Sequence, residues 1–291
     1  MGAPKYHKGI CFQIAKEYKA GMTTGQLREK YGYKTNKSIT DKLKQAGITK
    51  EDMETNRKQQ RKYSLDFNHL DSFTSYLLGL LATDGYLSPK DNGVGIELTD
   101  EDCIKSISEY TGQDYHSYDK SKYTGVLDNG QIINTKKQTY RIMFYGQDIY
   151  QQVIDRGITP SKSLSISSIK IYDNEEIYYP YIIRGIIDGD GSVYNRSSDN
   201  QLCLSICSAS KDFLEWVKWV LEDKMFFYNV HIYTKEYSDR ATMYKLFTSD
   251  SRNMILLYLL SYYLPMGMQR KRKKLLEGYS ETIIKTADIK Q

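Results

Sequence analysis

A ten-residue segment occurs twice in this chain, 106 positions apart. Leu77-Leu78-Gly79-Leu80-Leu81-Ala82-Thr83-Asp84-Gly85-Tyr86 is matched by Ile183-Arg184-Gly185-Ile186-Ile187-Asp188-Gly189-Asp190-Gly191-Ser192. Each copy reads as a short apolar helix with Gly at its third place and an Asp-Gly pair at its end. Ser75, Gly79 and Ala82 fall on one helical face, and Ile182, Gly185 and Gly189 do the same. Faces of small residues let two backbones approach closely, for steric reasons alone. The apolar run from Tyr76 to Ala82 is far short of the roughly 20 residues a bilayer demands, so both helices belong to a folded core. Each is expected to end at a Gly C-cap. A carboxylate at that end is electrically disfavoured, because helix C-termini are negative. Two copies keep one, Asp84 and Asp190, and paired carboxylates suit a hard divalent cation.

The overall charge of +5 conceals an asymmetry. Residues 1–62 hold 15 Lys/Arg against 6 Asp/Glu, a net of +9, and the remainder is net −4. A basic end of that strength calls for a polyanionic partner. Apolar residues at helical spacing from Ile10 to Tyr18 stop at Ala20-Gly21. Thr23-Thr24 can cap a second helix, Gln26 to Tyr31, and Thr35 or Asn36 a third, Ser38 to Ala46, ended by Gly47. Residues 1–48 therefore resemble a helix-turn-helix domain. Its third helix buries Ile39 and Leu43 and exposes Asn36, Lys37, Thr40, Asp41, Lys44 and Gln45 to a DNA groove. Residues 49–65, with Lys50, Arg57, Lys58, Arg61 and Lys62, read as a basic linker lying along phosphates.

After each motif the pattern runs strand, strand, helix, strand, strand, helix. Val94, Ile96 and Leu98 alternate with Gly95, Glu97 and Thr99, and Tyr140, Ile142 and Phe144 with Arg141, Met143 and Tyr145. Helices follow at Glu101–Tyr110 and Gln147–Asp155. In the second copy Leu202, Leu204 and Ile206 alternate with Gln201, Cys203, Ser205 and Cys207. Helices at Asp212–Asp223 and Ser251–Leu264 flank strands near Val230–Thr234 and Met243–Phe247. The repeat thus implies two α+β half-domains, 66–172 and 173–291, related by an approximate twofold axis. The four cysteines, Cys11, Cys103, Cys203 and Cys207, show no zinc spacing and read as reduced thiols. No signal peptide or membrane span is visible, which suits a cytoplasmic, nucleoid-associated protein.

The paired segments resemble the motifs of the LAGLIDADG homing endonucleases. So do the lead-in Asp66-Phe67-Asn68-His69-Leu70 and the stretch Gly157-Ile158-Thr159-Pro160-Ser161-Lys162-Ser163-Leu164. The likeness covers residues 63 to 280; one departure is Ala82, where the motif's name has Asp, which Asp188 keeps. The resemblance implies a fold of two αββαββα halves whose sheets form a saddle in the DNA major groove. Candidate base readers on that face are Glu97, Thr99, Arg141, Ser192, Tyr194, Arg196, Gln201, Ser205, Tyr233 and Lys245. It further implies Mg²⁺-dependent hydrolysis of both strands of a long asymmetric site, leaving short 3′ overhangs. Asp84 and Asp190 would hold the metal, with the backbone carbonyls of Thr83 and Gly189 beside them. Mn²⁺ would substitute, and Ca²⁺ would support binding without cleavage. Each half-site also has a basic catalytic residue: Lys162 matches the first, and Lys271, within Arg270-Lys271-Arg272-Lys273-Lys274, is assigned to the second.

The partner is double-stranded DNA, with no membrane and no obligatory protein; unlike halves imply a monomer. A start at Met1 and an end at Ile289-Lys290-Gln291 read as a free-standing or intron-encoded nuclease, not a protein-splicing element. Two alternatives belong to other classes: a non-cleaving DNA-binding transcription regulator, which would be expected to have lost the acids, and an intron RNA maturase.

Overall fold

The computed structural model describes residues 9–60, 63–120, 124–126, 132–134, 138–236, 241–263 and 266–288. The chain divides into two compact units, Met1–Ser64 and Leu65–Gln291.

Four short helices build the first unit: α1 (Gly9–Lys19), α2 (Thr24–Lys30), α3 (Asn36–Gln45) and α4 (Lys50–Gln60). Their ends follow from local chemistry. Thr23 and Gln26 form a reciprocal capping box at the start of α2, and Thr35 caps α3. Gly21, Gly32 and Gly47 take the left-handed turns between helices, with φ of +104°, +67° and +84°. Ile14, Tyr18, Leu27, Ile39, Leu43 and Ile48 form the core, and Met53 of α4 completes it. The expectation of a linker over residues 49–65 is therefore corrected. Thr49 and Asp52 cap α4 reciprocally at 3.1 and 2.9 Å. The Tyr18 hydroxyl donates to Met53 O at 3.3 Å, so α4 is part of this body. Arg61 and Lys62 lie outside the described residues.

The second unit holds both repeats. In the first, α5 (Ser72–Thr83) precedes β1 (Gly85–Ser88), β2 (Gly93–Leu98), α6 (Glu101–Thr111), β3 (Tyr115–Asp119), β4 (Thr124–Val126), β5 (Ile132–Asn134), β6 (Gln138–Tyr145) and α7 (Gln147–Asp155). In the second, α8 (Tyr179–Asp190) precedes β7 (Gly191–Asn195), β8 (Leu202–Ser208), α9 (Lys211–Trp219), β9 (His231–Lys235), β10 (Met243–Thr248), α10 (Ser251–Leu257) and α11 (Gln269–Asp288). Both α9 and α10 continue into a widened final turn, Val220–Lys224 and Tyr258–Tyr262. Leu264, the expected end of the second, lies outside the described residues, as do Met1 and Ile289-Lys290-Gln291.

Two four-stranded antiparallel sheets result, ordered β1-β2-β6-β3 and β7-β8-β10-β9. The orders are equivalent, as an internal repeat demands. One face of each sheet is apolar because Val94, Ile96, Ile142 and Phe144, or Leu204, Ile206 and Leu246, point to one side and are buried. The other face is left for contact. The β4–β5 hairpin is an insertion that the alternation did not reveal. A buried arginine ties the first repeat to the start of the second. Arg156 donates to Phe67 O at 2.7 Å, to Asn68 O at 3.1 Å and to Lys170 O at 3.0 Å, and pairs with Glu175.

Candidate active site

α5 and α8 lie against each other more extensively than any other pair of helices among the described residues. A Cβ on Gly79 would sit 2.0 Å from Ile182 O, and one on Gly185 would sit 2.1 Å from Tyr76 O. Both obstacles are backbone, so glycine at these two places is what permits the approach. Further along, a Cβ on Gly189 would meet Thr83 Oγ1 at 2.0 Å and Asp84 Oδ2 at 3.1 Å. The helix pair therefore carries its two motif ends, and with them Asp84 and Asp190, into one place. The expected Gly C-cap is found on α8, where Gly191 caps the helix in an extended conformation (φ −84°, ψ 154°) and not a left-handed one. α5 departs from the expectation, since its cap is Asp84 and Gly85 already begins a strand. Gly85 and Gly191 are glycine because the chain folds back so sharply that a Cβ would lie 2.5 Å from Leu81 Cα or 2.6 Å from Ile187 Cα.

Two buried lysines stand at equivalent positions beside these ends. Lys162, on the short turn Lys162–Leu164 between the buried Ile158 and Ile166, donates to Gly85 O. Lys271, on α11, donates to Ile187 O, Asp188 O and Gly191 O at 2.5, 2.6 and 2.7 Å. Each thus grips the carbonyl of the residue following its aspartate, and a cation there offsets the negative helix end. Burial pushes the Lys162 ammonium below its ordinary value, against the pull of Asp190 and Asp84. Lys271 is held at about 8, again by burial, with Asp188 opposing.

The carboxylates themselves are unpartnered. Among the described residues neither Asp84 nor Asp190 accepts a hydrogen bond or forms an ion pair; both feel only burial and distant charge. Burial raises Asp84, with Lys271 and Lys162 opposing. Asp190 keeps solvent access, yet the surrounding protein lifts it to about 6, with Asp84 as the second cause. Asp188, two residues earlier, is the opposite case. It is fully buried and saturated, accepting from Tyr76 Oη at 3.0 Å, Tyr262 Oη at 2.6 Å and Met268 N at 2.9 Å. The Arg184 guanidinium lies over the Tyr262 ring at 4.6 Å, beside it. No cluster of three His, Cys, Asp or Glu able to hold a metal occurs among the described residues. Two bare carboxylates of hard oxygen, with helix-end carbonyls nearby, fit a cation that takes its other ligands from water or substrate oxygen.

A family described as "Putative archaeal homing endonuclease", of the LAGLIDADG class, matches residues 53–251. The chain belongs to the LAGLIDADG family. A comparison with curated proteins finds no match. Among solved structures, the LAGLIDADG meganuclease I-AabMI bound to uncleaved DNA is 10% identical with a TM-score of 0.43, covering 75% of this chain and 92% of that one. The homing endonuclease I-GzeII in complex with its DNA target is 14% identical at 0.43, covering 76% and 92%. The N-terminal LAGLIDADG domain of DUF199/WhiA is 16% identical at 0.40, covering 69% and 85%. The family assignment rests on the sequence match.

In this LAGLIDADG chain the free face of the first sheet is more tightly built than the alternation suggested. Glu97 accepts from Thr139 at 2.8 Å, from Arg141 at 2.8 and 2.5 Å, and from Lys120. Burial opposes its charge, but those bonds, Lys120 first, hold its carboxyl at about 2. Arg141 lies over the Tyr118 ring at 4.6 Å and the Tyr86 ring at 5.7 Å. Thr99 is exposed just past the end of β2. Tyr86, Met143 and Tyr145 fill the same face over Gly93 and Gly95, where a Cβ would strike them. Tyr86 was missed although it occupies the repeat position of Ser192, a chosen candidate.

On the second sheet Ser192 and Tyr233 are exposed, and Lys245 lies over Tyr194 at 6.0 Å and Phe247 at 5.7 Å. Three expectations change. Ser205 is buried on the strand, opposite Ser192 and Phe247. Arg196 and Gln201 leave the strand alternation for the β7–β8 turn, where Arg196 pairs with Asp199 at 2.5 Å and bonds Gln201 at 2.8 Å. Gln201 in turn donates to Ser249 O at 2.5 Å. In the first unit Asn36, Lys37, Lys44 and Gln45 are exposed on α3 and Thr40 is half-buried, its hydroxyl returned to Asn36 O at 3.1 Å. No helix of the described residues is long and apolar enough to cross a membrane.

Proposed function

We propose that this protein is a site-specific endonuclease that hydrolyses both strands of a long, asymmetric DNA duplex, acting as a monomer with Mg²⁺. One observation carries the reading: two helix ends bring together two unpartnered, partly desolvated carboxylates, each flanked by a buried lysine on the adjoining carbonyl. A fold stores such charge at a cost unless a cation relieves it. A regulator that only bound DNA would have no use for it.

Asp84 and Asp190, with the Thr83 and Gly189 carbonyls beside them, would hold the cation. When bound, Mg²⁺ supplies Lewis acidity at a phosphate oxygen and a more acidic bound water. Mn²⁺ is expected to replace it and Ca²⁺ to support binding alone. Lys162 and Lys271 place positive charge beside each aspartate, where negative charge grows on a phosphate under attack. Lys271 Nζ, near 8, holds its proton at neutral pH and can release it to solvent as pH rises. The free sheet faces offer Arg141, Tyr86, Tyr194 and Lys245 to base edges and phosphates, and α3 adds Lys37 and Lys44. Short 3′ overhangs are the expected product.

The test is incubation with a library of long duplexes and Mg²⁺, followed by sequencing of the new ends. Asp84→Asn and Asp190→Asn should each abolish double-strand cutting while DNA binding persists. Undiminished cleavage by either variant would place the chemistry elsewhere. Sequence-specific binding with no cut under any divalent cation would make the protein a regulator.

A further inference from the structure

The two copies of the repeat differ in charge at two places one helical turn apart, Asp188 against Ala82 and Arg184 against Leu78, and these two buried side chains of the second copy form an ion pair at 3.9 Å. A buried carboxylate is costly unless its lone pairs are filled. The three donors that fill this one come from three different segments. Tyr76 belongs to α5, Tyr262 to the end of α10, and Met268 N is the last amide before α11 begins at Gln269. Gly267 takes φ +70°, and a Cβ there would come 2.3 Å from Asp188 Oδ2. The chain entering α11 is therefore wrapped onto this carboxylate. Three residues later, one helical turn on, Lys271 returns to the same stretch of α8 and bonds the carbonyls of Ile187, Asp188 and Gly191. One turn of α8 thus holds α11 twice, by the Asp188 side chain at its start and by backbone carbonyls at Lys271. Lys162 has no such tether: position 82 offers only a methyl group, and this lysine arrives on a short turn with one carbonyl to hold.

We propose that Asp188 is a positioning residue whose carboxylate fixes the start of α11 and thereby seats Lys271 beside Asp190. The geometric claim stands by itself; its consequence for cleavage rests on the endonuclease reading. Without Asp188, Lys271 loses its register while Lys162 keeps its own, so only one strand should be cut efficiently.

The test uses the full chain and an amine-acylating reagent, acetic anhydride, with peptide mass spectrometry reporting labelling at Lys271 relative to Lys162. Both lysines are buried, so both react slowly in the parent protein. Asp188→Ala, which installs the residue the first copy carries, should raise the Lys271 to Lys162 ratio about tenfold or more, as the loss of a charge-assisted bond does for a local opening. An unchanged ratio, or equal rises at both lysines, would overturn the proposal. Should Asp188→Ala not fold, Asp188→Asn is scored the same way, since it keeps the volume but cannot accept from all three donors. On a plasmid bearing the target, Asp188→Ala should accumulate nicked circles, and adding Lys271→Met should cost nothing further. A further additive loss would overturn the route through Lys271. If the parent protein cuts no duplex, the endonuclease reading fails while the labelling ratio still decides the positioning.

Discussion

Gly185→Ala adds one methyl group to a helix, a change that usually stabilises helices by about 1 kcal/mol. Here the sign should invert. The new Cβ would lie 2.1 Å from Tyr76 O and 2.6 Å from Leu80 N, and both are backbone atoms of a helix packed on all sides. Restoring ordinary contact requires α5 and α8 to separate by about 1 Å. Overpacking costs about 1–3 kcal/mol when side chains can yield, and two rigid backbones belong at the top of that range. For a body of this size about 3 kcal/mol corresponds to a fall in melting temperature of roughly 6–12 °C. The same displacement moves Asp190 relative to Asp84, and about 1 Å of misplacement can cost roughly 100-fold in rate. Thermal melting and single-turnover cleavage, read side by side, check both numbers. Gly278→Ala is the control, because its Cβ meets only the movable end of Leu202, at 2.5 Å. A Gly185→Ala protein that melts at or above the parent and cuts at its rate would refute the close-packed helix pair.

Asp190→Asn should raise the stability of the metal-free protein at pH 7 while removing activity. The folded pKa, about 6, exceeds the ordinary 3.8, so protonation favours folding: the contribution is complete below about pH 4 and lost as pH rises through 6. Because the side chain reaches solvent, the gain is about 1 kcal/mol rather than the full shift, and melting in chelator at pH 7 and pH 4 should show it appear and vanish. Arg156→Met leaves Glu175 and three carbonyls without their donor and should cost about 3–5 kcal/mol in denaturant unfolding; a loss below 1 kcal/mol would deny the clamp. Deleting residues 1–64, the whole first unit and not merely its first three helices, should weaken DNA affinity and flatten its salt dependence without moving the cut positions. An unchanged salt slope in a filter-binding titration would assign that unit to another partner.

Much of this architecture is written in short-range pattern. The motif helices, their small-residue faces, Thr23 and Thr35 as caps, and the alternation of β2, β6 and β8 all follow from periods and end groups that act within one element. Repetition of the motif by itself implied two similar halves and the meeting of Asp84 with Asp190. Where local signals were read incompletely, the chain still carried them: Thr49 and Asp52 spell the cap of α4, which a basic composition disguised as linker. Other features have no local cause. Which of the five basic residues at 270–274 reaches the end of α8 depends on how α11 packs there, and it is Lys271 that bonds the carbonyls of Ile187, Asp188 and Gly191. Asp188 stands out in the sequence only as the acid that position 82 lacks, and the three donors that fill it come from distant segments. Ser205 obeys the alternation yet is covered by its neighbours on adjacent strands, and Arg196 and Gln201 turn to each other instead of outward. Periodicity decides which side of an element a residue faces, but only packing between distant segments decides what it meets there.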